Sequence, residues 1–183
     1  MITERVLIEQ CSPTLSSIKT ASLFTVKIKN VNEFYKSLDC WNEKIAHKGL
    51  KMTLLREKSD FALVYLYREE HLKKDLQDDT AKEIMELYGY NCADISQMLE
   101  KLKLRFSNYK EFPHEVGLFL GYPPIDVKGF ICHKGQNCKL CGYWKVYGDT
   151  HQAMIRFAKY DKCKKIYIKL WSDGLDIMRL TVA

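Results

Sequence analysis

The residues best suited to chemistry fall between His114 and Asp149, in HEVGLFLGYPPIDVKGFICHKGQNCKLCGYWKVYGD. Pro113-His114-Glu115 reads as the opening turn of a helix, with proline where a missing N–H costs nothing. The positive end of the helix dipole disfavours a protonated imidazole there, so His114 beside Glu115 is a candidate general base or ligand contact. These two are the candidate catalytic pair; the plainer alternative is a solvent-facing helix start. Cys138-Lys-Leu-Cys141 offers two thiols that could share a metal ion or close a redox disulfide. Cys132, with His133 beside it, would be a third ligand and Cys163 a fourth, a set suited to zinc or iron. Structural zinc sites show two well-spaced pairs, and only one is present here. A redox pair opens a helix, whereas Cys141 leads into a strand. Reduced cysteines in a turn are the alternative.

Gly142-Tyr143-Trp144-Lys145-Val146-Tyr147-Gly148 alternates with period two. Trp144 and Val146 share the natural core face, and Tyr143, Lys145 and Tyr147 share the other. A cation between two phenols could hold an anionic or planar ligand. Near the amino end, Ser12-Pro13-Thr14 reads as a chain break and a new helix start, with Ser12 as cap and Pro13 in first position. Its N–H groups, the Ser12 and Thr14 hydroxyls and Lys19 would then cradle a phosphate or carboxylate. Arg68, ending a strand at the sheet edge, could add a second cation.

The elements that must position these groups follow from periodicity and caps. Residues 2–10 suit a short helix, and Ala21–Lys29 a strand. Asn30-x-x-Glu33 opens a helix carrying Val31, Phe34, Leu38, Trp41 and Ile45 inward, with Gly49 as its stop. Leu50–Arg56 and Phe61–Arg68 form a hairpin around Glu57-Lys58-Ser59-Asp60. Thr80-x-x-Glu83 and Asp94-x-x-Gln97 open two more helices, and two short ones surround Pro123-Pro124. Asp149-x-x-Gln152 caps a long helix with Ala153, Phe157, Tyr160, Cys163, Tyr167 and Leu170 as its core stripe. Ile177–Val182 would add an edge strand.

Composition bounds the rest. A chain of 183 residues with 46% hydrophobic and 28% charged residues is expected to form one globular domain, residues 1–183. No apolar run approaches the ~20 residues a bilayer demands, so no membrane partner is expected. MITERVLIEQ has no apolar signal core, and seven cysteines is an odd number. Both suit a reducing, cytoplasmic setting. The net charge of +6 reads as lysines dispersed over several helices. No nucleophile-elbow string, phosphate-binding glycine loop or dinucleotide fingerprint occurs, which excludes several common enzyme classes.

Four strings carry a resemblance: CSPTLSSIKTASLF, DFALVYLYR, HEVGLFLGYPPIDVKGF and GYWKVYGD. Over nearly its whole length the chain resembles an uncharacterised family of small cytoplasmic proteins from anaerobic Gram-positive bacteria, described only as a domain of unknown function. The resemblance implies a cytoplasmic bacterial protein and supplies neither a catalytic residue nor a cofactor.

The expected fold is α+β, a small, mostly antiparallel sheet of the hairpin and two further strands, including Tyr143–Tyr147, packed against about six helices. Three functions remain. The first is a binding module or small enzyme for an anionic small molecule, its cleft built from Ser12, Thr14, Lys19, Arg68, His114, Glu115, Tyr143, Lys145 and Tyr147. The second is a metal or thiol-redox protein using Cys138, Cys141 and Cys132. The third is a basic interaction or nucleic-acid-binding protein, which needs one continuous basic face.

Overall fold

The structure, a computed structural model, describes residues 1–58, 60–91, 94–108 and 112–183. Among them nine helices and two small antiparallel sheets make an α+β fold. The chain runs α1 (Glu4–Leu15), β1 (Ala21–Lys27), α2 (Val31–Ala46), β2 (Leu50–Lys58), β3 (Phe61–Arg68), α3 (Glu69–Asp75) and α4 (Asp79–Leu87). It continues through α5 (Ile95–Asn108), α6 (Val116–Phe119), α7 (Pro124–Cys132), β4 (Leu140–Cys141), β5 (Lys145–Val146), α8 (Thr150–Ser172) and α9 (Ile177–Leu180). It divides into two compact units, residues 1–70 with 160–183, and residues 71–159. Both boundaries fall inside helices, α3 and α8, so no Pro-, Gly- or Ser-rich linker marks them.

In the first unit the sheet order is β1-β3-β2, with both pairings antiparallel. Period-two alternation sends Phe24 and Val26, Ala62, Val64 and Leu66, and Met52 and Leu54 to one face. Leu7, Ile8, Cys11 and Leu15 of α1 and Phe34, Leu38, Trp41 and Ile45 of α2 complete this core. The α2 start is local chemistry as read: the Asn30 side chain accepts from Glu33 N at 3.1 Å. The β2–β3 hairpin forms, and Ser59 of its turn lies outside the described residues.

Three elements of this unit differ from the sequence reading. α1 does not break at Ser12; it runs on to Leu15 with Pro13 inside its last turn. The apolar stripe Leu7, Ile8, Cys11, Leu15 continues across the proline, and in a last turn proline removes only one hydrogen bond. Strand β1 stops at Lys27 rather than Lys29. Residues 177–182 do not form an edge strand: Asp176 caps the short helix α9 by accepting from Met178 N at 2.8 Å.

The second unit is tied together at Asp126, a buried carboxylate on α7. Its Oδ1 accepts from Tyr147 N at 2.8 Å and Gly148 N at 2.7 Å, and its Oδ2 accepts from Trp144 Nε1 at 2.7 Å. Trp144 is sandwiched further, stacked on Tyr122 at 5.0 Å and met edge-on by Phe157 at 4.5 Å. A Cβ at Gly129 would collide with the Tyr147 ring and one at Gly142 with the Phe157 ring, so the glycines of this stretch admit aromatic packing.

This knot corrects the expected Tyr143–Tyr147 strand. Trp144 and Val146 do face inward, but only Lys145–Val146 is strand, and it pairs with Leu140–Cys141 in a separate two-stranded sheet. Asp126 captures the backbone N–H groups beyond Val146, so the segment cannot extend the ladder of the larger sheet. Elsewhere in this unit Asp94 and Asp149 cap α5 and α8, accepting from Ser96 N at 2.7 Å and Gln152 N at 3.0 Å. At α4, Asp78 is the cap in place of Thr80, accepting from Ala81 N at 3.1 Å.

Candidate functional site

The amino-terminal candidates gather in the first unit with polarity opposite to that expected. Residues 12–15 are the carboxy end of α1, which presents carbonyl oxygens rather than N–H groups. The Ser12 hydroxyl donates back to Ile8 O, and Thr14 Oγ1 pairs with Ser22 Oγ at 2.9 Å. Arg68 ends the central strand, not an edge, and is buried. Its guanidinium donates to Thr14 O at 2.8 Å, Leu15 O at 2.9 Å, Lys48 O at 3.1 Å and Val182 O at 2.6 Å. Lys19, also buried, donates to Ala21 O. The place read as an anion cradle is therefore a cation cradle, which the negative end of the α1 dipole favours.

Burial lowers the Lys19 ammonium to about 8 and pushes the Cys11 thiol up to about 12. Between pH 8 and the ordinary lysine value the unfolded chain holds the Lys19 proton and the folded chain has released it, so stability rises with pH across that window. Above the ordinary cysteine value the Cys11 thiol acts in the opposite sense, because unfolding frees it to ionise. The unfolding free energy read by urea titration should therefore increase from pH 7 to about 9, by on the order of 1 kcal/mol, and level or fall beyond it. Lys19→Met should abolish the rise.

The candidate catalytic pair is not a dyad. Glu115 is fully buried and holds the Arg105 guanidinium, with the Tyr90 hydroxyl donating to its Oε1 at 2.9 Å. Arg105 in turn lies 4.7 Å from the centroid of the Tyr88 ring. His114 turns its half-buried ring to Phe130, centroids 4.9 Å apart. The two side chains diverge ahead of α6, which begins only at Val116.

Around α7 and the β4–β5 hairpin, the aromatic-basic face is largely satisfied from within. Lys145 Nζ donates to Gly135 O at 2.6 Å and lies near the Phe130 ring. Tyr147 stacks on His133 with rings 5.5 Å apart, and its hydroxyl donates to Gln136 O at 2.9 Å. Partial burial, with the nearby Cys138 thiol, raises the Tyr147 phenol above its ordinary value. Tyr143 is exposed at its outer edge and leans on Phe157. Cys132 and Cys141 are exposed and Cys138 is half-buried, and none of the six described cysteines forms a disulfide; Cys92 lies outside the described residues. Cys163 sits in the first unit's core, 3.1 Å from Ser16 Oγ. Among the described residues no three His, Cys, Asp or Glu side chains are grouped as a bound metal requires.

The strings that stand out in the sequence thus account for structure: a cation cradle, a buried ion pair and an aspartate knot. A family described as "protein of unknown function (DUF3793)" matches residues 7–181. The chain belongs to that family. No curated protein and no solved structure matches it. The DUF3793 match spans both units, so the cradle and the knot are parts of one family unit.

What the sequence reading missed is the distribution of charge. Residues 127–169 hold ten Lys and Arg against two Asp, an excess of eight that exceeds the +6 of the whole chain. Lysines do occur on several helices; it is the acidic residues that are concentrated in the first two-thirds, where they cancel the cations. Six of the ten lie on α8: Arg156, Lys159, Lys162, Lys164, Lys165 and Lys169. Among the described residues, none of these six has a carboxylate within ion-pair distance. All but the half-buried Lys164 are exposed. No helix among the described residues is long and apolar enough to cross a membrane.

Proposed function

We propose that this DUF3793 protein is a binding protein for an anionic macromolecule, held by the exposed basic surface of α8. One observation carries the reading: among the described residues, six cations on one helix have no ionic partner. An exposed surface of one sign raises the local concentration of an oppositely charged partner and speeds encounter. The buried cations Lys19 and Arg68, by contrast, are bonded to backbone carbonyls and offer a partner nothing.

Fluorescence anisotropy with three probes tests the reading: a single-stranded oligonucleotide, poly-glutamate and anionic phospholipid vesicles. Binding to at least one should weaken as salt rises toward ~0.15 M and beyond, as screening of exposed charges requires. The triple variant Lys162→Glu, Lys165→Glu, Lys169→Glu should lose that binding with an unchanged unfolding midpoint. Failure of all three probes at low salt would overturn the reading.

A further inference from the structure

Charge alone does not account for the surface of α8. Over its 23 residues only Ala153, Tyr160, Cys163 and Tyr167 are buried, a narrow stripe spaced by seven, three and four. Five large apolar side chains are left exposed: Met154 at 58%, Ile155 at 37%, Ile166 at 44%, Ile168 at 37% and Leu170 at 37%. Lys162, Lys165, Ile166, Lys169 and Leu170 recur at the steps i, i+3, i+4, i+7 and i+8, which place them on one helix face. The result is a strip on which Ile166 and Leu170 lie beside Lys162, Lys165 and Lys169.

We infer that this strip docks an amphipathic acidic helix of a partner protein, a reading that rests on the anionic-partner function above. Such a helix answers both components at once. Its carboxylates meet Lys162, Lys165 and Lys169, and its apolar side chains pack on Ile166 and Leu170. Packing along a seven-residue repeat is the geometry two helices adopt side by side.

The other occupants fit less of the surface. A nucleic acid would neutralise the lysines and leave the isoleucines in water, and the two tyrosines of this helix, Tyr160 and Tyr167, are buried and cannot stack on bases. A bilayer needs a broad apolar arc, whereas this face offers only Ile166 and Leu170 beside three lysines. A second copy of α8 would oppose lysine to lysine.

Two synthetic peptides of identical composition provide the test. One places Leu at the a and d positions and Glu at the others in three heptads; the second is its scrambled order. The wild-type protein should bind the amphipathic peptide at least about tenfold more tightly than the scrambled one. Ile166→Ser with Leu170→Ser should erase that difference while leaving the affinity for the scrambled peptide unchanged. Equal binding of the two peptides would overturn the inference and leave the anionic-partner reading intact. No binding of either, with no binding of oligonucleotide or vesicles, would remove both. Tighter binding of a single-stranded oligonucleotide or of anionic vesicles than of the amphipathic peptide would replace the helix with that partner.

Discussion

Arg68→Met should lower the stability of the folded chain by about 3 kcal/mol, a large share of the ~5–15 kcal/mol available to a protein of this size. The reason is the number of groups that converge on one guanidinium. Thr14 O and Leu15 O from α1, Lys48 O after α2 and Val182 O near the carboxy end all accept from it. Thr14 O and Leu15 O keep second donors in Ser17 N and Val182 N, so the loss falls on Lys48 O and Val182 O and on the tie they make between elements. A carbonyl left without a donor costs roughly 1–3 kcal/mol, partly offset because the cation no longer has to be desolvated. Arg68→Lys should recover less than half of the loss, since an ammonium cannot span the fork of a guanidinium. Urea unfolding followed by circular dichroism reads both variants. A midpoint for Arg68→Met within error of wild type would refute the clamp.

Asp126→Ala should cost about 3 kcal/mol through the second unit. It strips the acceptor from the Trp144 indole and from the Tyr147 and Gly148 amides, all held at 2.7–2.8 Å. The indole would stay wedged between Tyr122 and Phe157 with a buried, unsatisfied N–H. Asp126→Asn discriminates between shape and charge. Its one carbonyl oxygen can keep the two amides, but its NH2 faces the indole N–H, so a loss of about 1–2 kcal/mol is expected. The unfolding midpoint gives the size of both effects. Hydrogen exchange at Tyr147 and Gly148 gives their location: those amides should exchange much faster in the alanine variant and little faster in the asparagine one. Unchanged exchange in both would mean that Asp126 does not hold the turn.

These two clamps explain what the sequence does and does not disclose. Caps at Asn30, Asp94 and Asp149 were legible because the capping side chain and the amide it accepts from lie within three residues. Ser12-Pro13 was ambiguous because the same string suits a first or a last helical turn. The decision rests with Arg68, far along the chain, and with a core stripe that continues across the proline. Trp144 and Val146 were correctly read as facing inward, yet the segment was paired with the wrong sheet, because the carboxylate that ends it belongs to α7. His114-Glu115 drew attention as neighbours in sequence, and their side chains part at the first turn. The basic segment, residues 127–169, was in plain view as ten cations against two acids. A whole-chain net charge hides such a segment because it averages over the acidic remainder.

The division of labour that emerges is between buried motifs that each brace one unit from within and an exposed helix available to a partner. Chemical-shift mapping with poly-glutamate added to saturation tests it most directly. The account predicts perturbations centred on Lys162, Lys165, Ile166 and Lys169, extending along α8 to Leu170, with little change at His114, His133 and Tyr147. Perturbations centred on those three residues would move the site to the α7 and hairpin face and contradict the assignment to α8.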